Sequence, residues 1–276
     1  MSWWAVDVRA APGDRERIAA WLVGESGNTV EERPDGLLVG FALTEPEARA
    51  LETRLHALFA AEVRVWLRPL ESIDWTTRWR EGLGPRQLGR LTLVPSWIAP
   101  PADSEVVLTL DPESAFGSGE HGSTRATLTL LERLLRPGQS VVDLGSGSGI
   151  LAIAAAKLGA GHAFGIEIDS EAIPVAVRNA ERNDVTGRVE FLEGDAAKLA
   201  PLCAPADLIL SNILRGPNIA LLPVIRAALA PDGIAIFSGM QRTETELFRP
   251  ELERSGLKSF DEAIDDGWWA VAARRS

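Results

Sequence analysis

The segment that most constrains the fold runs from Val141 to Gly149 and reads V-V-D-L-G-S-G-S-G. An apolar run leads to an acid and then to a loop with a glycine at every second position. Glycine has no Cβ and tolerates positive φ, so such a loop lets the backbone approach a ligand closely. The segment predicts a buried strand, a ligand-binding turn and the start of a helix in an α/β sheet.

The spacing of the glycines narrows the choice of ligand. Gly145, Gly147 and Gly149 form G-x-G-x-G. A dinucleotide-binding loop has its third glycine one position later, where this chain has Ile150. Asp143 precedes the loop, and a carboxylate there would repel a pyrophosphate but attract a cationic methionine group. We therefore favour S-adenosylmethionine over a dinucleotide.

Acids also follow the next two predicted strands. Glu167 ends the run G-I-E-I-D, and its two oxygens can accept hydrogen bonds from both hydroxyls of a ribose. Asp195, in E-G-D-A, can accept a hydrogen bond from an adenine amino group, and Ala196 can supply a backbone donor. The alternative is that these loops are tight turns with solvated acids.

The second half of the chain has the pattern of a doubly wound α/β sheet. Near-continuous apolar runs alternate with amphipathic helices, as expected for parallel strands that are buried on both faces. The predicted strands are Ser140 to Leu144, Ala163 to Ile168, Val189 to Leu192, Leu208 to Leu210 and Ile234 to Phe237.

The beginning of the chain has a different pattern. Strand, helix, strand, strand, helix and strand follow one another from Trp4 to Leu67, which is the order of a ferredoxin-like split βαβ domain. Turn residues at Pro34-Asp35-Gly36 predict a hairpin in its middle. We predict a substrate-recognition domain over residues 1–68, a linker over 69–101 and a catalytic domain over 102–276. The linker includes Trp75 and Trp79 and only one short strand-like run, at Arg90 to Val94.

Charge and cysteine content limit the partners and the compartment. The net charge of −11 argues against nucleic-acid binding and suits a basic protein partner, although the acidity can also serve solubility alone. Cys203 is the only cysteine, so no intramolecular disulfide forms. With no signal peptide, long apolar run or metal-ligand pattern, we expect a cytoplasmic protein without membrane contact or metal.

Four segments carry a resemblance to a known family. They are D-W-T-T-R-W-R at Asp74 to Arg80, L-D-P-E-S-A-F-G-S-G-E-H-G-S-T at Leu110 to Thr124, the glycine loop with the helix after it, and S-N-I-L-R-G-P at Ser211 to Pro217. With these segments the chain resembles the PrmA-type methyltransferases, which modify ribosomal protein L11.

The resemblance implies a fold and an activity. The fold is a Rossmann-like, seven-stranded class I methyltransferase domain preceded by the small α+β domain. The activity is transfer of methyl groups from S-adenosylmethionine to lysine side-chain amines, N-terminal amines or both in ribosomal protein L11, with S-adenosylhomocysteine as product. Apart from the resemblance, we expect the enzyme to be a monomer. By position, the family's cofactor contacts fall on Thr124, Gly145, Glu167 and Asn212.

Asn212 follows the fourth strand of the predicted sheet, where such sheets bind their ligands. Its side-chain oxygen and the carbonyls of Ile213 and Leu214 can accept hydrogen bonds from a substrate amine, which would aim the nitrogen lone pair at the methyl group. The alternative is an asparagine that caps the next helix.

The loop before Thr124 departs from the family pattern G-T-G-T-H-P-T-T. Gly122 replaces the proline, which predicts a more mobile loop, and Glu120 adds a charge. His121 in this loop either accepts a proton from the substrate ammonium or only hydrogen-bonds the loop backbone. Trp97 and Trp268 are candidates for aromatic side chains that line the site.

The departures leave two alternatives to L11 methylation. One is a methyltransferase of the same fold that acts on another protein or on a small-molecule amine. The other is a non-catalytic assembly or binding factor with a degenerate methyltransferase fold, although Asp143, Gly145 and Asn212 are all present.

Overall fold

A computed structural model describes residues 3–26, 30–33, 35–59, 63–70, 83–113 and 115–276. The chain divides into two compact units, Met1–Arg78 and Trp79–Ser276. The predicted motif at Asp74 to Arg80, with Trp75 and Trp79, lies outside the described residues, as does Pro34 of the predicted turn.

The first unit contains one antiparallel sheet and two helices in the predicted order. The strands pair in the order β2-β3-β1-β4. The hydrophobic core forms where Ile18, Leu22, Leu51 and Leu55 of the helices pack on Val6 and its neighbours in the central strand. The elements are β1 (Trp4–Arg9), α1 (Arg15–Ser26), β2 (Glu31–Glu32), β3 (Leu37–Ala42), α2 (Glu45–Phe59) and β4 (Arg64–Pro69).

The second unit is built on a seven-stranded sheet with the order β10-β9-β8-β11-β12-β14-β13. The five strands from β10 to β12 are parallel, and a final hairpin adds β14 and β13 antiparallel. The strands are β8 (Ser140–Leu144), β9 (His162–Glu167), β10 (Val189–Glu193), β11 (Ala206–Asn212), β12 (Leu229–Gln241), β13 (Leu257–Asp265) and β14 (Trp268–Arg275). The predicted class of fold is confirmed.

Helices cover both faces of this sheet. Val141 of β8 belongs to a core under one helix layer, while Val142 belongs to the core on the opposite face. Burying a side chain of this kind contributes roughly 1.5–3 kcal/mol, which is why both faces of β8 are apolar. The helices are α3 (Gly122–Leu134), α4 (Ile150–Lys157), α5 (Ala172–Arg182), α6 (Ala196–Leu199), α7 (Arg215–Ala228) and α8 (Thr245–Arg254).

A small third sheet lies within the second unit, in the order β5-β6-β7. Its strands are β5 (Arg86–Leu88), β6 (Leu91–Val94) and β7 (Val106–Thr109). Residues 83–101, predicted as part of a linker, thus supply two strands, and Leu91 and Leu93 enter the same core as Val141. The strand-like run predicted at Arg90 to Val94 corresponds to β6, whereas β5 is concealed in the sequence by its shortness and by the glycines and proline around it. The roles assigned to the predicted domains stay predictions.

Across the described parts of the chain, none of the helices combines the length and the apolar character needed to cross a lipid bilayer.

Candidate active site

A cavity of about 740 Å³ opens at the carboxyl edge of the parallel strands. Gly145 after β8, Glu167 at the end of β9 and Asn212 at the end of β11 all line it. Strands β9 and β11 flank β8, so the chain order reverses direction here. Open α/β sheets bind ligands at such a crevice, and three predicted site residues meet there.

The glycine loop forms one wall of the cavity. Gly145 has φ +73° and Gly147 has φ +51°, a region that other residues rarely adopt. A Cβ on Gly145 would lie 2.6 Å from Cγ2 of Ile213, and one on Gly147 would lie 2.5 Å from the carbonyl oxygen of Phe116. The loop therefore requires glycine both for its conformation and for its close packing.

Glu167 has its carboxylate fixed by the backbone. Its Oε2 accepts a hydrogen bond from the Gly147 amide at 2.8 Å, and its Oε1 accepts from the amides of Ile168 at 2.8 Å and Asp169 at 3.0 Å. A carboxylate offers about four lone-pair sites, so acceptor capacity is left for a hydroxyl group. The glycine loop and this acid form one rigid unit.

Asp195 and Ala196 line the same cavity at the end of β10. The Asp195 side chain caps α6 by accepting a hydrogen bond from the Ala197 amide at 2.9 Å through Oδ1. The other carboxylate oxygen, Oδ2, does not take part in this cap and can accept a hydrogen bond from another donor. Both residues are thus placed for the predicted adenine contact, which stays a prediction.

Asn212 has the most informative side chain of the site. Its Nδ2 donates a hydrogen bond to Oγ1 of Thr124 at 3.3 Å. Its Oδ1 is buried and has no hydrogen-bond partner among the described residues. Leaving such an atom unpaired costs about 1–3 kcal/mol, so the site is built to receive a donor.

The alternative role of Asn212 as a helix cap does not fit the structure. Leu214 holds the cap position of α7, and no side chain caps that end. Asn218 from the first turn instead donates from Nδ2 to the carbonyl of Ile213 at 2.9 Å and from its backbone to the carbonyl of Leu214 at 3.0 Å. The carbonyls of Ile213 and Leu214 are predicted to accept hydrogen bonds from the substrate amine, and each therefore already accepts one hydrogen bond from Asn218.

Three predicted cofactor contacts, Thr124, Asp143 and Gly149, do not line the cavity. Thr124 is fully buried and contacts Asn212 from behind, and Gly149 packs its Cα against Phe191. Side chains alternate along a strand, so Asp143 shares a face with Val141 and points into the helix layer. These three residues are therefore not part of the cavity wall, and their cofactor contacts stay predictions.

Asp143 is fully buried, and neither carboxylate oxygen has a hydrogen-bond partner among the described residues. Burial raises the pKa of Asp143 to about 7; the backbone of Ala152 opposes this rise, and the charge of Glu167 adds to it. Oγ of Ser146, in the glycine loop, is likewise buried and unpaired. The edge of the sheet thus holds several polar atoms without partners.

An aromatic wall of Phe116, His121 and Trp268 faces the cavity. The His121 ring centroid lies 4.1 Å from that of Trp268 and 5.5 Å from that of Phe116. Trp268 was a sequence candidate, whereas Trp97 is absent from the lining. Phe116 was missed, although it stands inside the conspicuous F-G-S-G segment before α3.

The loop before α3 is held by several contacts. Glu120 pairs with Arg86, and the Arg125 guanidinium donates to the carbonyl of Glu120. Gly122 begins α3, where a Cβ would lie 2.5 Å from the carbonyl oxygen of Asp265 in the final hairpin. Glycine at this position therefore permits close packing of loop and hairpin, and the greater mobility expected from it stays a prediction.

No cluster of histidine, cysteine, aspartate or glutamate side chains within the described ranges has the arrangement of a metal site.

Comparison with known proteins gives a consistent result. The family described as "Ribosomal protein L11 methyltransferase (PrmA)" matches residues 34–276. The chain is 34% identical to the ribosomal protein L11 methyltransferase of Pelotomaculum thermopropionicum over 99% of each chain. It is 39% identical to that of Thermus thermophilus over 88% of this chain and 96% of the other. A crystal structure of ribosomal protein L11 methylase from Lactobacillus delbrueckii subsp. bulgaricus matches with a TM-score of 0.64 and 30% identity, covering 70% of this chain and all of that one.

Proposed function

The chain belongs to the ribosomal protein L11 methyltransferase family, and from this premise we propose that it transfers methyl groups from S-adenosylmethionine to amine nitrogens of ribosomal protein L11. The observation that carries the proposal is that Asn212 lines the cavity while its Oδ1 has no hydrogen-bond partner among the described residues. An amine is a donor that matches this acceptor.

The residues of the cavity fit S-adenosylmethionine. The Gly145 and Gly147 backbone leaves room for close approach, Glu167 has acceptor capacity for the ribose hydroxyls, and Asp195 with Ala196 suits the adenine. When bound, the cofactor supplies an electrophilic methyl group on a positively charged sulfur. We assign no direct contact to Asp143, which is fully buried and does not line the cavity.

Asn212 orients the substrate amine in this proposal. Thr124 binds Nδ2, which leaves Oδ1 as the atom that accepts an N–H of the substrate. The carbonyls of Ile213 and Leu214 keep one acceptor position each, because Asn218 uses the other. Holding a nitrogen in line for attack can supply roughly 7–11 kcal/mol of a reaction barrier.

The amine must be neutral to react. For a lysine with a pKa of about 10.4, deprotonation at pH 7 costs roughly 4–5 kcal/mol, whereas an α-amine near 7.8 costs about 1 kcal/mol. Transfer from water into the apolar cavity favours the neutral form of both. We propose both lysine and N-terminal amines as substrates.

The surroundings of the cavity suit a protein substrate. Phe116, Ile168 and Leu214 line the cavity and are 57%, 74% and 71% exposed, so apolar surface is available around the opening for a partner to cover. The net charge of −11 complements a basic partner. A protein that modifies a ribosomal protein acts where ribosomes are, and we place this chain in the cytoplasm.

Two variants separate the role of Asn212 from that of its hydrogen bond. Asn212→Ala and Thr124→Val both remove the bond between these side chains, but only Asn212→Ala removes Oδ1. We expect Asn212→Ala to keep its S-adenosylmethionine affinity in calorimetry and to lose at least about 100-fold in turnover of unmethylated L11. Thr124→Val should lose less. Equal losses in both variants would contradict the assigned role of Oδ1.

We also propose that residues 1–68 recruit the substrate. A variant that lacks them is expected to bind S-adenosylmethionine as the full chain does but to leave L11 unmethylated. Undiminished methylation of L11 by this variant would contradict the recruiting role.

A further inference from the structure

The proposed function leaves one proton unassigned. An ammonium group has no lone pair, so a proton must leave the substrate before its nitrogen can attack. The amide oxygen of Asn212 accepts a hydrogen bond but is too weak a base to remove that proton. Glu167 already accepts three backbone hydrogen bonds, and Asp195 caps α6.

His121 is the titratable side chain that the aromatic wall presents to the same cavity as Asn212. It immediately precedes α3, whose first turn carries Thr124, the hydrogen-bond partner of Asn212. The start of α3 therefore positions both the imidazole of His121 and, through Thr124, the Asn212 side chain that is proposed to bind the substrate amine. Proton transfer requires the substrate amine and the imidazole to lie in the same site, and His121 and Asn212 line the same cavity.

The imidazole ring is held in one orientation. Its Nδ1 lies 2.6 Å from Oγ of Ser123, and Trp268 and Phe116 contact the ring. With the ring hydrogen on Nδ1 and donated to Ser123, Nε2 carries a lone pair. The close packing of the final hairpin on Gly122 fixes Trp268 against this ring.

The surroundings of the His121 ring favour its neutral form. Burial lowers the pKa of His121, and the positive charge of Arg125 lowers it further, while Asp266 acts in the opposite direction. Arg125 is paired with Asp265 through Nε at 3.0 Å, and Glu120 is paired with Arg86. A neutral imidazole is the form that can take up a proton.

We propose that His121 accepts the proton of the substrate ammonium at the Asn212 site; this inference rests on the proposed function. In this step one N–H bond of the ammonium breaks, its electron pair stays on the nitrogen, and the proton moves to Nε2. His121 is only partly buried, so the imidazolium can return its proton to water before the next turnover.

The pH profile of His121→Asn tests the proposal. Asparagine retains a polar group where Nδ1 lies but has no basic nitrogen. At pH 7 we expect kcat with unmethylated L11 to fall at least about 100-fold, with KM and S-adenosylmethionine affinity unchanged. The deficit should shrink as the pH approaches the lysine pKa of about 10.4, where the amine ionises without help.

The control variant is His162→Gln, which changes a histidine in the same unit that does not line the cavity. It is expected to keep the wild-type profile. If His121→Asn retains wild-type kcat at pH 7, or loses the same factor at every pH, the proton-acceptor role is overturned. If the wild-type chain transfers no methyl group to L11, the proposed function itself fails. If the wild type methylates L11 and His121→Asn does so equally well, only the proton-acceptor role fails, so the two failures are distinguishable.

A second readout does not depend on turnover. The chain has three histidines, so the ring signals of His121 can be assigned by NMR from the spectrum of His121→Asn. We expect these signals to titrate with a midpoint below 6.5 in the free protein. A midpoint above 7 would mean a protonated ring at neutral pH and would overturn the proposal.

Discussion

Replacing Asp143 with asparagine should stabilise the second unit at neutral and alkaline pH. The carboxyl group of Asp143 is fully buried, and neither oxygen has a hydrogen-bond partner of normal length among the described residues. Burial raises its pKa from 3.8 to about 7, even though the backbone of Ala152 opposes the rise. A difference of roughly 3 pKa units, at 1.36 kcal/mol per unit, corresponds to about 4 kcal/mol. This is the free energy that the folded protein loses by ionising the group at high pH.

The sign of the effect follows from the direction of the pKa shift. The folded state holds the Asp143 proton more tightly than the unfolded state does. The free energy of unfolding therefore falls as the pH rises from about 4 to about 7, and above that range the loss is complete and constant. Asparagine has nearly the same shape and no charge, so it avoids this loss.

Urea unfolding of the wild-type chain and of Asp143→Asn, followed by tryptophan fluorescence from pH 4 to pH 8.5, measures the effect. The difference in the unfolding free energy of the second unit should grow with pH to about 4 kcal/mol. Asp232→Asn, at an exposed aspartate of the same unit, is the control and should show no gain of this size. A difference for Asp143→Asn that is the same at every pH would refute the reasoning.

Three further predictions concern the glycine loop and its neighbours. Glu167→Gln loses the charge that accepts three amide hydrogen bonds, so calorimetry should show S-adenosylmethionine affinity at least about 10-fold lower, and unchanged affinity would contradict the assignment. Gly145→Ala places a Cβ 2.6 Å from Ile213 at φ +73°, and we expect thermal unfolding to show a loss of about 1–3 kcal/mol together with loss of cofactor binding; a variant that binds normally would contradict this. Gly122→Ala should displace the hairpin at Asp265 and lower kcat more than cofactor affinity, and an unchanged kcat would speak against that packing.

The sequence predicts the central sheet well because its signal is local. Parallel strands that are buried on both faces need apolar residues at successive positions, as at Val141 and Val142. Within residues 83–101 the sequence indicates a strand-like run at Arg90 to Val94, which corresponds to β6, whereas β5 has three residues and stands between glycines and a proline, so it gives no pattern. Leu91 and Leu93 gain their burial from the large core, which no local pattern reveals.

The sequence predicted the residues of the candidate site only where they lie at the carboxyl end of a parallel strand. Gly145 follows β8, and Glu167 and Asn212 are the last residues of β9 and β11, so the topology brings them together at one edge. Asp143 lies within β8 and not after it, and because side chains alternate along a strand, its side chain shares a face with Val141 and does not line the cavity. The contact between His121 and Trp268 joins residues far apart in the chain, and it depends on the hairpin packing against Gly122.

The central claim is that this chain places methyl groups from S-adenosylmethionine on amine nitrogens of ribosomal protein L11. Intact-mass analysis of unmethylated L11 after incubation with the enzyme and the cofactor tests it most directly, with peptide fragmentation to locate the modified nitrogens. Our account predicts mass increases in steps of one methyl group, located on lysine side chains or the N-terminal amine, and absent with Asn212→Ala. L11 of unchanged mass in the presence of enzyme that binds the cofactor would contradict it.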